Sequence, residues 1–329
     1  MFSENEVRQE FLDRFDEIAA GATALGGVES IDGGLTVDRA AAAAQRMAEG
    51  LWVPDGSGLE AIIERFTRPV HLVQRSTFTL PPDGRATSKH VTAQVERARR
   101  PLERAIPSVG RIELRNHAMT WAGTGWMVGP RLAVTNRHVA ELFALESKAG
   151  PGTAFALRRS WTGKSIRPSL DWYQEYQRPE ESRFRVTEVL WIEPDGSHDV
   201  ALLRVDPRGE DGEALPPPLA LDTSGARAGR WVAVIGYPGR DSRADHSDRE
   251  RIFDGVYDCK RLAAGRLTAV EGQRVVHHDA TTLGGNSGSA VVDLDSGKAV
   301  ALHFGGTAGL SNVAVHAAAL AEIIRTHGG

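Results

Sequence analysis

Cysteine is nearly missing from this chain: Cys259 is the only one in 329 residues. No disulfide can form within the chain, so packing alone must hold the fold, which suits a reducing compartment. Missing too is any apolar run long enough to cross a bilayer. The opening stretch, MFSENEVRQEFLDRFDEIAA, is rich in acids and has no apolar signal core. These absences predict a cytoplasmic protein with no membrane partner. A basic surplus is also lacking, since 39 Lys and Arg stand against 43 Asp and Glu, a net charge of −4. That balance argues against a broad nucleic-acid footprint. Repeats are absent, and low complexity is confined to Ala40–Ala44.

What is present is the composition of a soluble globular chain able to bury a core, with 41% hydrophobic and 25% charged residues. Its periodicity changes along the length. Phe2–Ala20 places Val7, Phe11, Phe15 and Ile18 at helical spacing, and Val37–Gly50 and Gly58–Phe66 predict further helices. Val70–Leu80 reads as extended and Lys89–Ala105 as one charged helix. From Ile106 the pattern becomes many short extended segments bounded by Gly, Pro, Asp or Asn, which predicts an antiparallel sandwich or barrel. Those segments are Ser108–Arg115, Gly125–Val128, Leu132–Thr135, Phe184–Ile192, Val200–Val205, Trp231–Gly236, Val275–Val276, Ala290–Val292 and Val300–Phe304. A final helix is expected over Val315–Thr326. The chain thus divides into a helical accessory or regulatory region, 1–104, and a β-rich domain, 105–329.

One loop of that β-rich domain raises a chemical question. TTLGGNSGS, Thr281–Ser289, holds four hydroxyl residues between apparent strands. Taken alone it is a polar turn. A serine hydroxyl becomes a nucleophile only when a base takes its proton and a third group orients that base. Most of the eleven histidines need no special reading, but His138 follows two strands joined at Gly129-Pro130 and sits just past the end of the second. Asp199 opens the apolar run Val200–Val205, where a carboxylate can be partly buried and still meet an imidazole N–H. Asp195, Asp206 and Asp222 lie in turn-like surroundings. The order His138, Asp199, Ser287 is one of the known orders of the Ser-His-Asp template.

Three stretches, GTGWMVGPRLAVTNRHV, HDVALL and GGNSGS, resemble the three motif blocks of chymotrypsin-like (trypsin-like) serine proteases. VIGYPG, Val234–Gly239, is similar to a strand-and-turn block that precedes the serine loop in bacterial members. Within that family the chain most resembles the bacterial glutamyl endopeptidases, which pair a TTGGNSGS-like loop with a strand ending in His-aromatic-Gly-Gly. Here those are TTLGGNSGS and LHFGG, Leu302–Gly306. The resemblance spans Ile106–Gly329. It implies a mainly β, chymotrypsin-like double antiparallel β-barrel with a C-terminal helix, preceded by a small mainly helical N-terminal region.

Carried over by position, the resemblance makes Ser287 the nucleophile, His138 the general base and then acid, and Asp199 its orienter. The backbone N–H groups of Gly285 and Ser287 would form the oxyanion hole. Thr282 and His303 would line the pocket for the residue before the scissile bond, favouring Glu or Asp. A buried core histidine is the competing interpretation of His303. Phe304, Gly305 and Gly306 would offer backbone to an extended substrate. Thr281 stands where trypsin-type enzymes carry an Asp, so cleavage after Lys or Arg is disfavoured. Asn286 stands where digestive zymogens carry an Asp that pairs with a freed N-terminus, so that activation route is not expected.

The expected activity is a serine endopeptidase acting on protein or peptide substrates, with no cofactor and no metal. A protein partner is expected through the N-terminal region. The alternative is a catalytically vestigial protease fold that binds peptides or scaffolds, recruited through its N-terminal helices. His277-His278-Asp279 reads as a polar strand end, GTGWMVG opens no helix and so is no dinucleotide loop, and Gly239–Arg251 is a charged solvated loop. Trp161, Trp172 and Trp191 are expected in the core or on its rim.

Overall fold

The computed structural model of the protein describes residues 70–79, 89–147, 154–239, 253, 255–307 and 311–328. The helices expected over Phe2–Ala20, Val37–Gly50 and Gly58–Phe66, and most of the loop Gly239–Arg251, lie outside the described residues.

Six strands close the first barrel. They are β3 (Val109–Arg115), β4 (Trp121–Gly129), β5 (Leu132–Thr135), β8 (Arg167–Asp171), β9 (Arg183–Ile192) and β10 (Ala201–Val205). Their order is β10-β5-β4-β3-β8-β9, with β10 also pairing β9, and every pairing is antiparallel. A short hairpin of β6 (Ala144–Ser147) and β7 (Ala154–Leu157) stands beside it. The second barrel uses β11 (Trp231–Gly236), β12 (Arg261–Glu271), β13 (Val275–His278), β14 (Ala290–Asp293), β15 (Ala299–Thr307) and β16 (Ser311–His316). The β11–β12 pairing closes it. The chain is therefore mainly β, two antiparallel barrels and a C-terminal helix, α4 (Ala317–His327).

Strand alternation explains the long apolar runs. In β10, Ala201, Leu203 and Val205 enter the first barrel's core, whereas Leu202 joins a cluster shared with the second barrel. Both faces of that strand are buried, so its sequence loses the usual apolar-polar alternation. The shared cluster also takes Val134, Ala233, Ile235, Tyr237, Leu262 and Leu302. It is the seam on which the site is built.

Nine expected strands are present, some longer than expected. β6, β7, β8, β12 and β16 were not expected, and the reasons differ. β8 carries Pro168, which normally argues against a strand with neighbours on both sides. β12, RLAAGRLTAVE, has few β-branched residues and is held by pairing to β11, β13 and a strand from the N-terminal region. β16 was absorbed into the expected helix at Val315–His316. Instead His316 caps α4, its Nδ1 accepting from Ala318 N at 2.9 Å.

The described part of the expected accessory region is packed into the β domain. β1 (Val70–Gln74) and β2 (Thr77–Phe78) form a hairpin, and β1 adds to the second barrel through β12. Two helices follow, α1 (Lys89–Arg97) and α2 (Arg99–Ala105), rather than one continuous helix. Pro101 lacks the N–H that would continue the first, but is tolerated in the opening turn of the second. Val73, Phe78, Val91, Val95 and Leu102 all enter the shared cluster.

His71, in β1, is 1% exposed and donates from Nδ1 to Thr79 O at 2.9 Å. Burial lowers its pKa from 6.5 to about 4, so it is neutral in the folded protein. An unfolded chain takes up that proton below pH 6.5 while the folded one does not. Stability is therefore expected to fall as pH drops from 6.5 towards 4, by about 2 kcal/mol at pH 5 from this residue alone. Urea titrations of the full chain at pH 7 and pH 5 check this, with His71→Phe showing the smaller loss. Equal losses in both proteins would remove His71 as a cause.

Candidate active site

β5 ends at Thr135, and the one-turn helix α3 (Arg137–Ala140) follows with Asn136 as its N-cap. The Asn136 side chain does not cap that helix; its Nδ2 donates to Asp199 O at 2.8 Å. The Asp199 carboxylate supplies the missing acceptor instead, taking the His138 backbone N–H at 3.0 Å on Oδ1. Its other oxygen, Oδ2, lies 2.6 Å from His138 Nδ1. A carboxylate accepts, so Nδ1 carries the proton and Nε2 keeps its lone pair. The side chain of Asp199 is 13% exposed and that of His138 46%, so the acid is sheltered and the base faces outward.

The serine loop is fastened to both barrels. Ser287 O accepts from Thr124 N at 2.8 Å, and Gly288 N donates to His303 O at 2.9 Å. Gly285 has φ +92°, and a Cβ there would sit 2.5 Å from Tyr237 O. Gly288 has φ +88°, and a Cβ would lie 2.0 Å from Thr124 O. Only glycine fits either position. Among the described residues, neither the Gly285 nor the Ser287 N–H donates to another protein group, which leaves both available as donors. The Ser287 hydroxyl makes no hydrogen bond to His138 among the described residues.

Thr124 is a positioning residue that sequence reasoning missed. Its Oγ1 donates to Gly285 O at 3.1 Å and accepts from Tyr237 N at 3.2 Å, while its O accepts from Thr135 Oγ1 at 2.7 Å. Glycines flanking a strand residue, as in Gly123-Thr124-Gly125, signal close backbone approach and could have flagged it. Thr124→Val keeps the shape and removes the hydroxyl, leaving Gly285 O and the buried Tyr237 N without partners. A stability loss of about 1–3 kcal/mol is expected by urea titration, with a fall in kcat larger than any rise in KM. A variant with wild-type stability and kcat would show that the hydroxyl does not hold the loop.

The predicted pocket residues Thr282 and His303 are each bonded to a different partner. His303 is 3% exposed and its Nδ1 lies 3.1 Å from His278 Nε2. Burial, with help from His278 and His138, holds its pKa well below the ordinary histidine value, so it is neutral. Thr282 Oγ1 donates to Asn312 Oδ1 at 2.7 Å, and Asn312 Nδ2 in turn donates to Ala280 O at 2.6 Å. His278 and Asn312 are thus the groups that hold the two predicted pocket residues; the sequence marked His278 only as part of a polar strand end and Asn312 not at all. On β15, pairing with β14 ends at Leu302, while β16 pairs the other edge through Thr307. Phe304, Gly305 and Gly306 therefore keep one edge clear of strands, and a Cβ on Gly305 would meet nothing within 4 Å.

The other polar candidates have separate partners. His277 bonds Glu271, His278 bonds His303, and Asp279 accepts from Arg266 N. Among the described residues no group of three or more His, Cys, Asp or Glu side chains is arranged to hold a metal ion. Nor is any described helix long and apolar enough to cross a membrane. Trp172 is buried and Trp191 stacks on His327 at 3.6 Å, but Trp161 is 98% exposed.

Comparison with known proteins gives the family. The chain is 34% identical over 250 residues to a probable serine protease of Lysobacter enzymogenes, covering 66% of this chain and 62% of that protein. It is 25% identical over 203 residues to a glutamyl endopeptidase of Staphylococcus epidermidis, covering 61% and 60%. The matches thus span about three fifths of these relatives' own lengths. The Rv3671c protease of M. tuberculosis in its inactive form aligns with a TM-score of 0.43 at 20% identity, over 76% of this chain and 99% of that one. The trypsin-like peptidase domain matches residues 123–302, which carry His138, Asp199 and Ser287, and the chain belongs to that family.

Proposed function

We propose that the protein is a serine endopeptidase that hydrolyses peptide bonds through an acyl-enzyme on Ser287. The bonded Asp199–His138 pair carries this reading. Its Nε2 lone pair is free to act as base, and Ser287 lies on a loop fastened to the strand β4 of the same barrel. In this mechanism Nε2 takes the Ser287 proton as the hydroxyl attacks the carbonyl carbon, and Asp199 stabilises the imidazolium. The Gly285 and Ser287 N–H groups receive the developing oxyanion. His138 then protonates the leaving amine, and a water repeats the sequence to release the acid.

We also propose a preference for Glu or Asp before the scissile bond. His303 spends Nδ1 on His278, so its Nε2 remains to donate to a carboxylate. Thr282 would have to turn its hydroxyl proton from Asn312 to the substrate. Cleavage-site mapping of a mixed peptide library by the full chain tests activity and preference together. Cuts spread evenly over residue types would sink the acidic preference and leave the peptidase standing.

A second reading, a peptide-binding protein without hydrolysis, gains from the missing Ser287–His138 hydrogen bond. An active-site serine probe separates the two, because labelling of Ser287 requires a working base.

A further inference from the structure

On the outside of the first barrel a groove of about 790 Å³ runs from the loop after β3 to the turn at Trp161. Three cations line it, Arg158, Arg159 and Lys164, against the single carboxylate Glu141. All three are exposed, and among the described residues none is paired with an acid. Arg158 donates to Ala144 O and Arg159 to Gly163 O, bonds to neutral carbonyls that leave their charge uncancelled. Exposed apolar surface lies among them. Leu145 is 43% exposed and Trp161 98%, the latter at a turn fixed by Gly163 N to Ser160 O and Ser160 N to Lys164 O, both 2.8 Å. A large aromatic held in water on a rigid turn and ringed by cations is the chemistry of a docking surface for an acidic, partly apolar peptide.

The position of the groove says which peptide. Glu141 is the C-cap of α3, the helix that carries His138, and Leu142 N bonds back to Val139 O at 3.3 Å. One wall of the groove, Glu141 and Leu142, therefore begins where the one-turn helix carrying the base ends. The residues proposed to read the acyl side, Thr282 and His303, lie in the second barrel. A peptide crossing the seam puts its acyl side there and its leaving side over the first barrel, where His138 must hand the amine its proton. We propose that this groove binds the substrate segment following the scissile bond and selects acidic residues in it, with Arg159, Lys164 and Trp161 as specificity-determining residues. This rests on the serine peptidase reading.

The test uses the full chain and two fluorogenic peptides identical up to the scissile bond, one with Asp and Glu after it and one with Ser and Gln. The wild-type chain is expected to prefer the acidic peptide in kcat/KM by on the order of tenfold at low salt, less as ionic strength rises. Arg159→Ser with Lys164→Ser is expected to bring that ratio near unity, and Trp161→Ala to lower it. Arg325→Ser, a remote charge control on α4, is expected to keep it. In parallel, anisotropy of a labelled acidic peptide reports binding to Ser287→Ala with and without the groove substitutions. An unchanged ratio and unchanged binding in the groove variants overturn the proposal. Binding that is lost in the groove variants while the ratio stays put overturns the leaving-side placement, since it describes a separate partner site. If the wild-type chain cuts neither peptide, the peptidase reading fails, and the anisotropy arm still decides whether the groove takes acidic peptides.

Discussion

Ser287→Ala is expected to lower kcat by about 10⁶-fold, the loss seen when a nucleophile or base is removed from another serine peptidase. Peptide affinity should stay within a few-fold, because the loop is held by backbone contacts that the substitution keeps: Ser287 O to Thr124 N and Gly288 N to His303 O. Asp199→Asn should cost about 10⁴-fold, since an amide at that position favours the wrong imidazole tautomer. It should also be the less stable variant, because the carboxylate accepts the His138 backbone N–H as well as the ring. Steady-state kinetics on a library-derived peptide, with binding followed separately, measures both. Cleavage that survives in Ser287→Ala at a comparable rate would sink the nucleophile assignment.

The two substitutions also separate the competing readings. In a vestigial binding protein neither changes a turnover that does not exist, and Asp199→Asn acts only on stability. In a working peptidase the Asp199→Asn loss appears in kcat beyond anything a shift in folded fraction supplies.

How much of this could be read from the chain depends on how local each signal was. The stretches around His138 and Asp199 were legible because each sits at a strand end in a distinctive context, and chain order added a second constraint. The pairing of Asp199 with His138 followed. Thr124 and Asn312 were not legible as orienting groups, since a Thr or Asn whose partners lie 113 or 32 residues away looks like any other polar residue. β12 was missed because its Ala, Gly and Arg residues become a strand only through three neighbours that supply hydrogen bonds on both edges. The pattern of β10 betrayed burial on both faces, but not which barrel each face entered. For the N-terminal region, Lys89–Ala105 read as one charged helix, although Val91, Val95 and Leu102 are buried in the shared cluster. Its charge masked that buried face, and nothing local showed what covers it.

That cover leads to the largest stability effect expected. A chain beginning at Ile106 should fail to fold cooperatively. It would lose Val73, Phe78, Val91, Val95 and Leu102, all 2% exposed or less and all in the cluster shared by both barrels. Each such side chain contributes about 1.5–3 kcal/mol by burial, against a typical domain stability of about 5–15 kcal/mol. The conformational entropy of the deleted residues is no longer lost on folding, so the decisive cost falls on what remains. Residues of the shared cluster that those side chains cover would face water, and the β12 edge paired by β1 would be bare. Polar groups suffer as well: Glu175, buried beside Lys260, loses the Ser76 N–H at 3.0 Å, and Tyr176 N loses Val73 O at 2.9 Å. Thermal melts of the two chains, with a dye that reports exposed apolar surface, provide the measurement. A truncated chain that melts cooperatively at the full chain's temperature would mean that residues 70–105 decorate the barrels rather than complete them. If folding fails as expected, any test of what residues 1–69 do for activity has to cut before Val70, since a cut at Ile106 would confuse loss of regulation with loss of the fold.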